Sequence, residues 1–268
     1  VQYVEGVFSL AEAKRIVIDA GHGGEEPGAM YEGKMEKDDT LRLALAVGQI
    51  LSQAGQQVGY TRVTDVYQSP YEKAQMANNA GADYFISFHR NAMPIPGSAS
   101  GSASLVYSDS GVPAMLADNI NPEMTAAGFT DLGTIQRPGL VVLRDTHMPA
   151  VLLEVGFIDN PIDNQIFDEN FDQLANGIAQ GILTTIEQEE MPPQYYQIQV
   201  AAYRDQSMAN QLVDRLRSQD LPAFVISEDG WYKVRVGAFL NLDNAARMEQ
   251  LLRNMGYSTV MVREAEIS

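Results

Sequence analysis

This chain of 268 residues has no cysteine, one tryptophan and three histidines. The missing cysteines exclude a disulfide framework and a thiol nucleophile, and they fit export only weakly. No G-x-S-x-G elbow marks a serine nucleophile either. No apolar run reaches the roughly 18–20 residues needed to cross a bilayer, and no charged-then-apolar leader opens the chain, so a soluble protein without a membrane partner is expected. The chain starts at Val1 and not at methionine, so the missing leader does not bear on export. Cations are scarce: 18 Lys+Arg face 35 Asp+Glu, a net charge of −17. Residues 1–190 hold 10 basic against 26 acidic side chains, net −16, and residues 191–268 hold 8 against 9, net −1. A nucleic acid partner is thereby excluded, because phosphate binding needs a basic face. Such acidity also means that affinity for an anionic polymer has to come from specific contacts.

What is present is a sparse set of chemistry-bearing side chains where apolar runs end. RIVIDAGHGG (15–24) reads as a buried strand that delivers His22 into a glycine-rich turn, and YFISFHRNA (84–92) does the same for His89. PAVLLEVGF (149–157) is a third buried strand with Glu154 in its apolar interior, where an acid is costly unless paired, metal-bound or protonated. Glu36 stands in the first turn of a helix whose Leu41, Leu45, Ile50 and Leu51 recur at helical spacing up to Gly55. Taken singly, His22 and His89 read as hydrogen-bonded loop residues sooner than as ligands, and Glu36 as a solvated acid favouring a helix N-terminus. Together, two imidazoles and a carboxylate are the number and type of ligands that hold a catalytic zinc with one open position, with Glu154 suited to act as a general base. The GHGG run lacks a full dinucleotide or P-loop pattern.

IDAGHGG, EKD opening a helix, ISFHRNA and PAVLLEVGFIDNP follow one another in an order and at separations that resemble the zinc-dependent N-acetylmuramoyl-L-alanine amidases of bacterial cell-wall turnover, over about residues 15–186. The resemblance implies an α/β fold with a mostly parallel sheet and flanking helices. It also implies one Zn2+ on His22, Glu36 and His89, and catalysis by Glu154. The reaction implied is hydrolysis of the amide between N-acetylmuramic acid and the L-alanine of the stem peptide, with no covalent intermediate. Arg90 stands where the family often carries a small residue; it reads either as a cation that steers an acidic stem peptide or as the partner of a nearby carboxylate. His147 and Arg144, just before the third buried strand, are further candidates for substrate contact, with structural bonding as the alternative. Family placement makes 134–144 a wall near the stem peptide. PIPGSASGSAS (94–104) reads as a flexible surface loop, and VQYVEGVFSLAEA (1–13) as an edge strand with a turn or as a linker.

Acidic residues and a Pro-Pro pair at 187–194 end a helical pattern through Leu174, Ile178 and Ile182, which sets a catalytic domain at 1–187, a linker at 188–194 and a second domain at 195–268. The second domain is an internal repeat with an offset of 36 residues, YQIQVAAY against YKVRVGAF, each followed by an amphipathic helix and a strand. It predicts a βαββαβ α+β domain, a four-stranded antiparallel sheet covered on one side by two helices. With Tyr196, Ile198, Val200, Tyr232, Val234 and Val236 turned toward the helices, alternation turns Gln197, Gln199, Trp231, Lys233 and Arg235 outward as a candidate glycan-binding face, with an ordinary solvated sheet face as the alternative. The repeat resembles the SPOR domain, which binds peptidoglycan glycan strands stripped of stem peptides; the first copy has VAAY where VGAF is usual.

The expected partners are therefore peptidoglycan stem peptide and glycan strand, in the cell wall or outside the cell, including release from a sporulating mother cell, with a monomer as the default. An RNA-binding sheet is disfavoured because stacking aromatics are missing from the central outward positions. The remaining alternative is a catalytically inactive, amidase-like regulator that binds peptidoglycan.

Overall fold

The computed structural model describes residues 13–190 and 194–264. The expectation for residues 1–12 lies outside the described residues, as do 191–193 of the expected linker and the last four residues. The chain divides into two compact units after Glu190, and helix α6 below continues to Glu190, past the expected linker start at 188.

In the first unit the order is β1 (Arg15–Ala20), a short hairpin of β2 (Met30–Tyr31) and β3 (Lys34–Met35), α1 (Glu36–Gln53), β4 (Gln57–Tyr60), α2 (Pro70–Ala80) and β5 (Tyr84–Asn91). There follow β6 (Ser102–Val106), α3 (Gly111–Ala126), β7 (Asp131–Gln136), α4 (Val141–Arg144), β8 (Ala150–Phe157), α5 (Pro161–Glu169) and α6 (Phe171–Glu190). Six strands form one sheet in the order β4-β1-β5-β8-β6-β7. β6 runs antiparallel to β8, and every other neighbouring pair is parallel. The three apolar runs that carry His22, His89 and Glu154 are thus β1, β5 and β8, side by side in the middle. They are buried on both faces, which explains why they read as near-continuous runs and not as alternating ones.

One face is covered by α1, α3 and α6, whose Leu43, Val47, Leu116, Ile120, Ile178 and Ile182 pack on Ile16, Ile18, Ile86, Val151 and Leu153. Each such fully buried aliphatic side chain contributes about 1.5–3 kcal/mol. The other face, with Val17, Phe85, Leu105 and Leu152, is covered more sparsely, by α2 and α4. α2 begins with a capping box in which Ser69 accepts from the Glu72 N–H and the Glu72 carboxylate accepts from the Ser69 N–H; Pro70 fills the first helical position, and Gly81, with φ at 60°, closes the helix. The expected loop 94–104 ends earlier than its composition suggests. Ser102–Val106 is the fully buried strand β6, and its lead-in is pinned by Asp163, which accepts from Ser100 Oγ at 2.7 Å and from the Gly101 N–H at 2.9 Å.

The second unit is β9 (Tyr195–Tyr203), α7 (Gln206–Arg217), β10 (Ala223–Glu228), β11 (Trp231–Phe239), α8 (Leu242–Asn254) and β12 (Val260–Glu264). Its antiparallel sheet has the order β10-β11-β9-β12, with the two copies of the repeated strand in the centre. Asp205 and Asn241, also 36 residues apart, cap α7 and α8 with their side-chain oxygens. Ala209, Leu212 and Leu216 from α7, and Ala245 and Leu252 from α8, close the core over Ile198, Val234 and Val236.

Candidate metal centre and active site

The site forms at the carboxyl ends of the parallel strands, where open α/β sheets bind their ligands. β1 ends at Ala20, and the chain turns through Gly21 to His22, whose φ of 62° is unusual for a residue with a side chain. A Cβ at Gly21 would lie 2.6 Å from the His89 ring, so only glycine lets the turn pass this close to β5. Glu36 is the first residue of α1, and His89 lies near the end of β5 in register with Glu154 on β8.

These four side chains, far apart in the sequence, come together. His22 Nε2 lies 3.1 Å from Glu36 Oε2, and His89 Nδ1 lies 2.9 Å from Glu36 Oε1. Backbone N–H groups of Ala29 and Arg90 also donate to the two Glu36 oxygens, each at 2.9 Å. His22, Glu36 and His89 each offer one ligand atom within 4.8 Å of the others, the ligand set expected from the sequence. On the far side of the His22 ring, Nδ1 meets Glu26 Oε2 at 2.6 Å.

Burial by itself would raise the Glu36 pKa, but the hydrogen bonds and charges of the two histidines prevail and hold the carboxyl well below its ordinary range. Burial by itself would lower the His22 pKa, and Glu36 and Glu26 together raise it. Glu154 is opposite in character. Burial pushes its pKa up, the neighbouring Glu36 charge adds to that, and the histidines oppose it. Its Oε2 is buried with no hydrogen-bond partner among the described residues. Two imidazoles and an ionised carboxylate converging on one point fit a divalent cation.

A cleft of about 270 Å³ opens from the centre along the thinly covered sheet face. His22, Glu26 and His89 line it together with Tyr67, Pro70 and Lys73, with Leu140, Val141 and Val142, and with Leu152. The stretch 134–144 thus does supply a wall, through residues 139–142.

The three candidate substrate contacts are placed elsewhere, and for each the observed partner gives the reason. Arg90 is 2 % exposed; its guanidinium donates to Asp39 Oδ2 at 2.6 Å and Asn164 Oδ1 at 2.8 Å and stacks over Phe167. Of the two readings of Arg90, the structure takes carboxylate pairing and not substrate contact. Arg144 is exposed and forks onto Asp145 at 2.8 and 3.2 Å; it borders a different depression with Tyr107 and Met148. His147 is exposed and outside the cleft lining, and its backbone N–H donates to Asn78 Oδ1 at 2.9 Å.

Sequence reasoning passed over several residues that shape this centre. Asp19 is fully buried, accepts from Thr61 and Ser87 hydroxyls at 2.7 Å each and pairs with Lys73 at 2.9 Å. Arg62 is 3 % exposed and donates to several backbone carbonyls around the first turn. Asp19 carried the same signal as Glu154, an acid inside an apolar run, and Lys73 sits beside Ala74 and Ala77 on the buried stripe of α2. Glu26 offered no such signal.

In the second unit the outward face needs correction. Gln197 is 0 % and Arg235 1 % exposed. Arg235 donates to Gln197 Oε1 at 2.9 Å and also pairs with the Glu264 carboxylate. Alternation also slips. β11 pairs Val234 with Ala201 but Arg235 with Gln199, so Val200 forms a bulge, and Val200 and Ala201 both pack against the core. Gln199 stays half-buried, Lys233 pairs with Glu228, and Trp231 is 38 % exposed with the Arg204 guanidinium 4.0 Å from its ring centroid.

Comparison with known proteins agrees with this geometry. Residues 16–184 match the N-acetylmuramoyl-L-alanine amidase family. The chain belongs to that family. Residues 192–263 match the SPOR domain. The amidase CwlM of Bacillus licheniformis is 33% identical over 80% of this chain and 85% of its own length. The sporulation-specific N-acetylmuramoyl-L-alanine amidase of Bacillus subtilis is 40% identical over 54% of this chain, which spans only 56% of that relative. Among solved structures, the N-acetylmuramoyl-L-alanine amidase of Clostridium difficile 630 superposes with a TM-score of 0.62 at 34% identity, covering 65% of this chain and 97% of its own. The residues that match the amidase family lie within the first unit. Among the described residues no helix of this amidase-family chain is long and apolar enough to cross a membrane.

Proposed function

We propose that the chain is a cell-wall hydrolase that cleaves the amide between N-acetylmuramic acid and L-alanine in peptidoglycan, working outside the cell at the wall. In this reading His22, Glu36 and His89 hold one zinc ion and Glu154 moves the proton. A zinc ion held there supplies Lewis acidity toward a carbonyl oxygen and acidifies water. Glu36, kept ionised, cancels part of the ion's charge, and the Ala29 and Arg90 N–H groups fix its orientation. Burial and the neighbouring Glu36 raise the proton affinity of Glu154, which suits its carboxylate to take a proton from water and return it to the leaving amine. The apolar walls at Leu140, Val141, Val142 and Leu152 exclude solvent and fit the methyl groups that flank the scissile bond.

The observation that carries this reading is the buried Glu154 oxygen, unpartnered among the described residues and in register with His89, beside three donors within 4.8 Å of one another. The test is incubation of peptide-bearing peptidoglycan with the protein, with and without a chelator, reading new L-alanine amino termini. Release abolished by the chelator and restored by zinc is expected; no release under either condition would leave only an inactive peptidoglycan binder.

For the second unit, the SPOR match supports binding of glycan strands stripped of peptide. Trp231 is the exposed aromatic ring on its sheet and the contact favoured for a sugar face. Gln197 and Arg235 shape the sheet beneath it and are not proposed as contacts.

A further inference from the structure

We propose that Arg62 is a positioning residue for the metal centre, a buried cation that sets the distance between the first two ligands. The inference rests on the reading of His22, Glu36 and His89 as metal ligands. His22 holds a left-handed conformation, φ 62°, that a residue with a side chain keeps only where its surroundings over-determine it. The surroundings are unusually specific. Arg62 Nε donates to the Ala20 carbonyl at 3.1 Å, and Nη2 donates to the Gly21 carbonyl at 2.9 Å and to the Lys37 carbonyl at 2.7 Å. One guanidinium therefore grips the residue before His22 and the residue after Glu36. Its remaining nitrogen, Nη1, donates to the Thr64 carbonyl at 3.2 Å, which anchors the side chain to its own loop.

Other groups close the same clamp. Thr40 Oγ1, on the first turns of α1, donates to the Gly21 carbonyl at 2.8 Å and accepts from Arg62 Nη2 at 3.3 Å. Lys73 Nζ reaches the Ala20 carbonyl at 2.7 Å from α2. The Gly21 N–H donates to the carbonyl of Phe88, the residue before His89, at 3.0 Å. Gly21, the residue preceding His22, is thus tied through its N–H to the backbone beside His89 and through its carbonyl, by way of Arg62, to the backbone beside Glu36. Lysine could not replace it, because a single ammonium with three donors lacks the planar fork that reaches four carbonyls at once.

The test compares zinc affinity, by competition with a chromogenic chelator, in the full-length wild type, Arg62→Lys, Thr40→Val and Tyr84→Phe, alongside thermal unfolding of each metal-free protein. Tyr84 bonds Glu189 at the other end of β5, so Tyr84→Phe controls for general loss of stability. Arg62→Lys is expected to weaken zinc binding 10- to 100-fold, the range found when groups that orient ligands are removed. Thr40→Val is expected to weaken it several-fold, and Tyr84→Phe to leave it unchanged. A folded Arg62→Lys protein with wild-type zinc affinity would overturn the proposal, as would an equal loss in Tyr84→Phe. If Arg62→Lys does not fold, Thr40→Val decides, and wild-type affinity in that variant overturns the clamp. Failure of the wild type itself to bind zinc would instead remove the ligand assignment.

Discussion

At the scale of single residues, Glu154 joins two consequences of one burial. Its raised pKa means that the unfolded chain ionises first as pH rises, so the native state binds more protons above the unfolded value. The contribution of Glu154 to the stability of the metal-free protein is then fully present below the ordinary glutamate pKa and is lost as pH rises through the folded value. Glu154→Gln removes this penalty. It is expected to lower turnover by about 10²- to 10⁴-fold while stabilising the metal-free protein at pH 7 by roughly 1–2 kcal/mol. Calorimetry at pH 4 and pH 7 checks the second part, and a stability difference that does not grow with pH would contradict it. His22→Ala and His89→Ala are expected to lose both bound zinc and hydrolysis, read by elemental content and by amino-terminus release. Glu154, His22 and His89 were legible in the sequence because each breaks a local rule, an acid in an apolar run or an imidazole where a buried strand ends, whereas Glu36, an acid in the first turn of a helix, breaks none and stood out through the family resemblance. Glu26 was not legible, since an acid in a glycine-rich polar loop breaks none. Arg90 and Arg235 were harder to read for a related reason: sequence shows a cation but does not choose the carboxylate that neutralises it, Asp39 for the one and Glu264 for the other.

At the scale of elements, helix α2 supports one side of the cleft while packing on the thinly covered sheet face. Its start depends on the Ser69–Glu72 capping box, so Ser69→Ala is expected to cost about 1 kcal/mol. The substitution is also expected to raise KM on peptidoglycan with little change in kcat, because Pro70 and Lys73 line the cleft while the ligands belong to other elements; a kcat loss with unchanged KM would contradict this. Buried parallel strands and capped helices announced themselves through apolar runs and cap residues. β6 did not, because SASLV follows a serine-rich stretch and owes its burial to Asp163 and to its place between β8 and β7. The bulge at Val200 escaped for another reason. Period-two alternation reads direction but cannot see the register of a partner strand.

At the scale of the whole molecule, charge is divided as unevenly as function. The first unit carries nearly all of the net charge of −17, so anionic wall polymers repel the part proposed to cut while the part proposed to bind is near neutral. Hydrolysis of intact walls is expected to rise several-fold as ionic strength goes from about 0.01 to 0.15 M, when the screening length shrinks from ~30 to ~8 Å. A small soluble muramoyl-peptide should show a much weaker dependence, and equal salt responses for the two substrates would contradict this account. A chain ending at Glu190 is expected to keep turnover on the soluble compound and to lose retention on peptide-stripped glycan.

The central strand pairing of the second unit leads somewhere else. Tyr203 lies opposite Tyr232 and Tyr196 opposite Phe239, and a shift of 36 positions exchanges these two pairs. β9 and β11 are therefore related by an approximate dyad, disturbed at the bulge near Ala201, where the second copy has Gly237. Either half already presents the edge that its twin requires. A synthetic peptide of one copy alone should consequently self-associate in pairs, rebuilding the four-stranded sheet from two identical molecules.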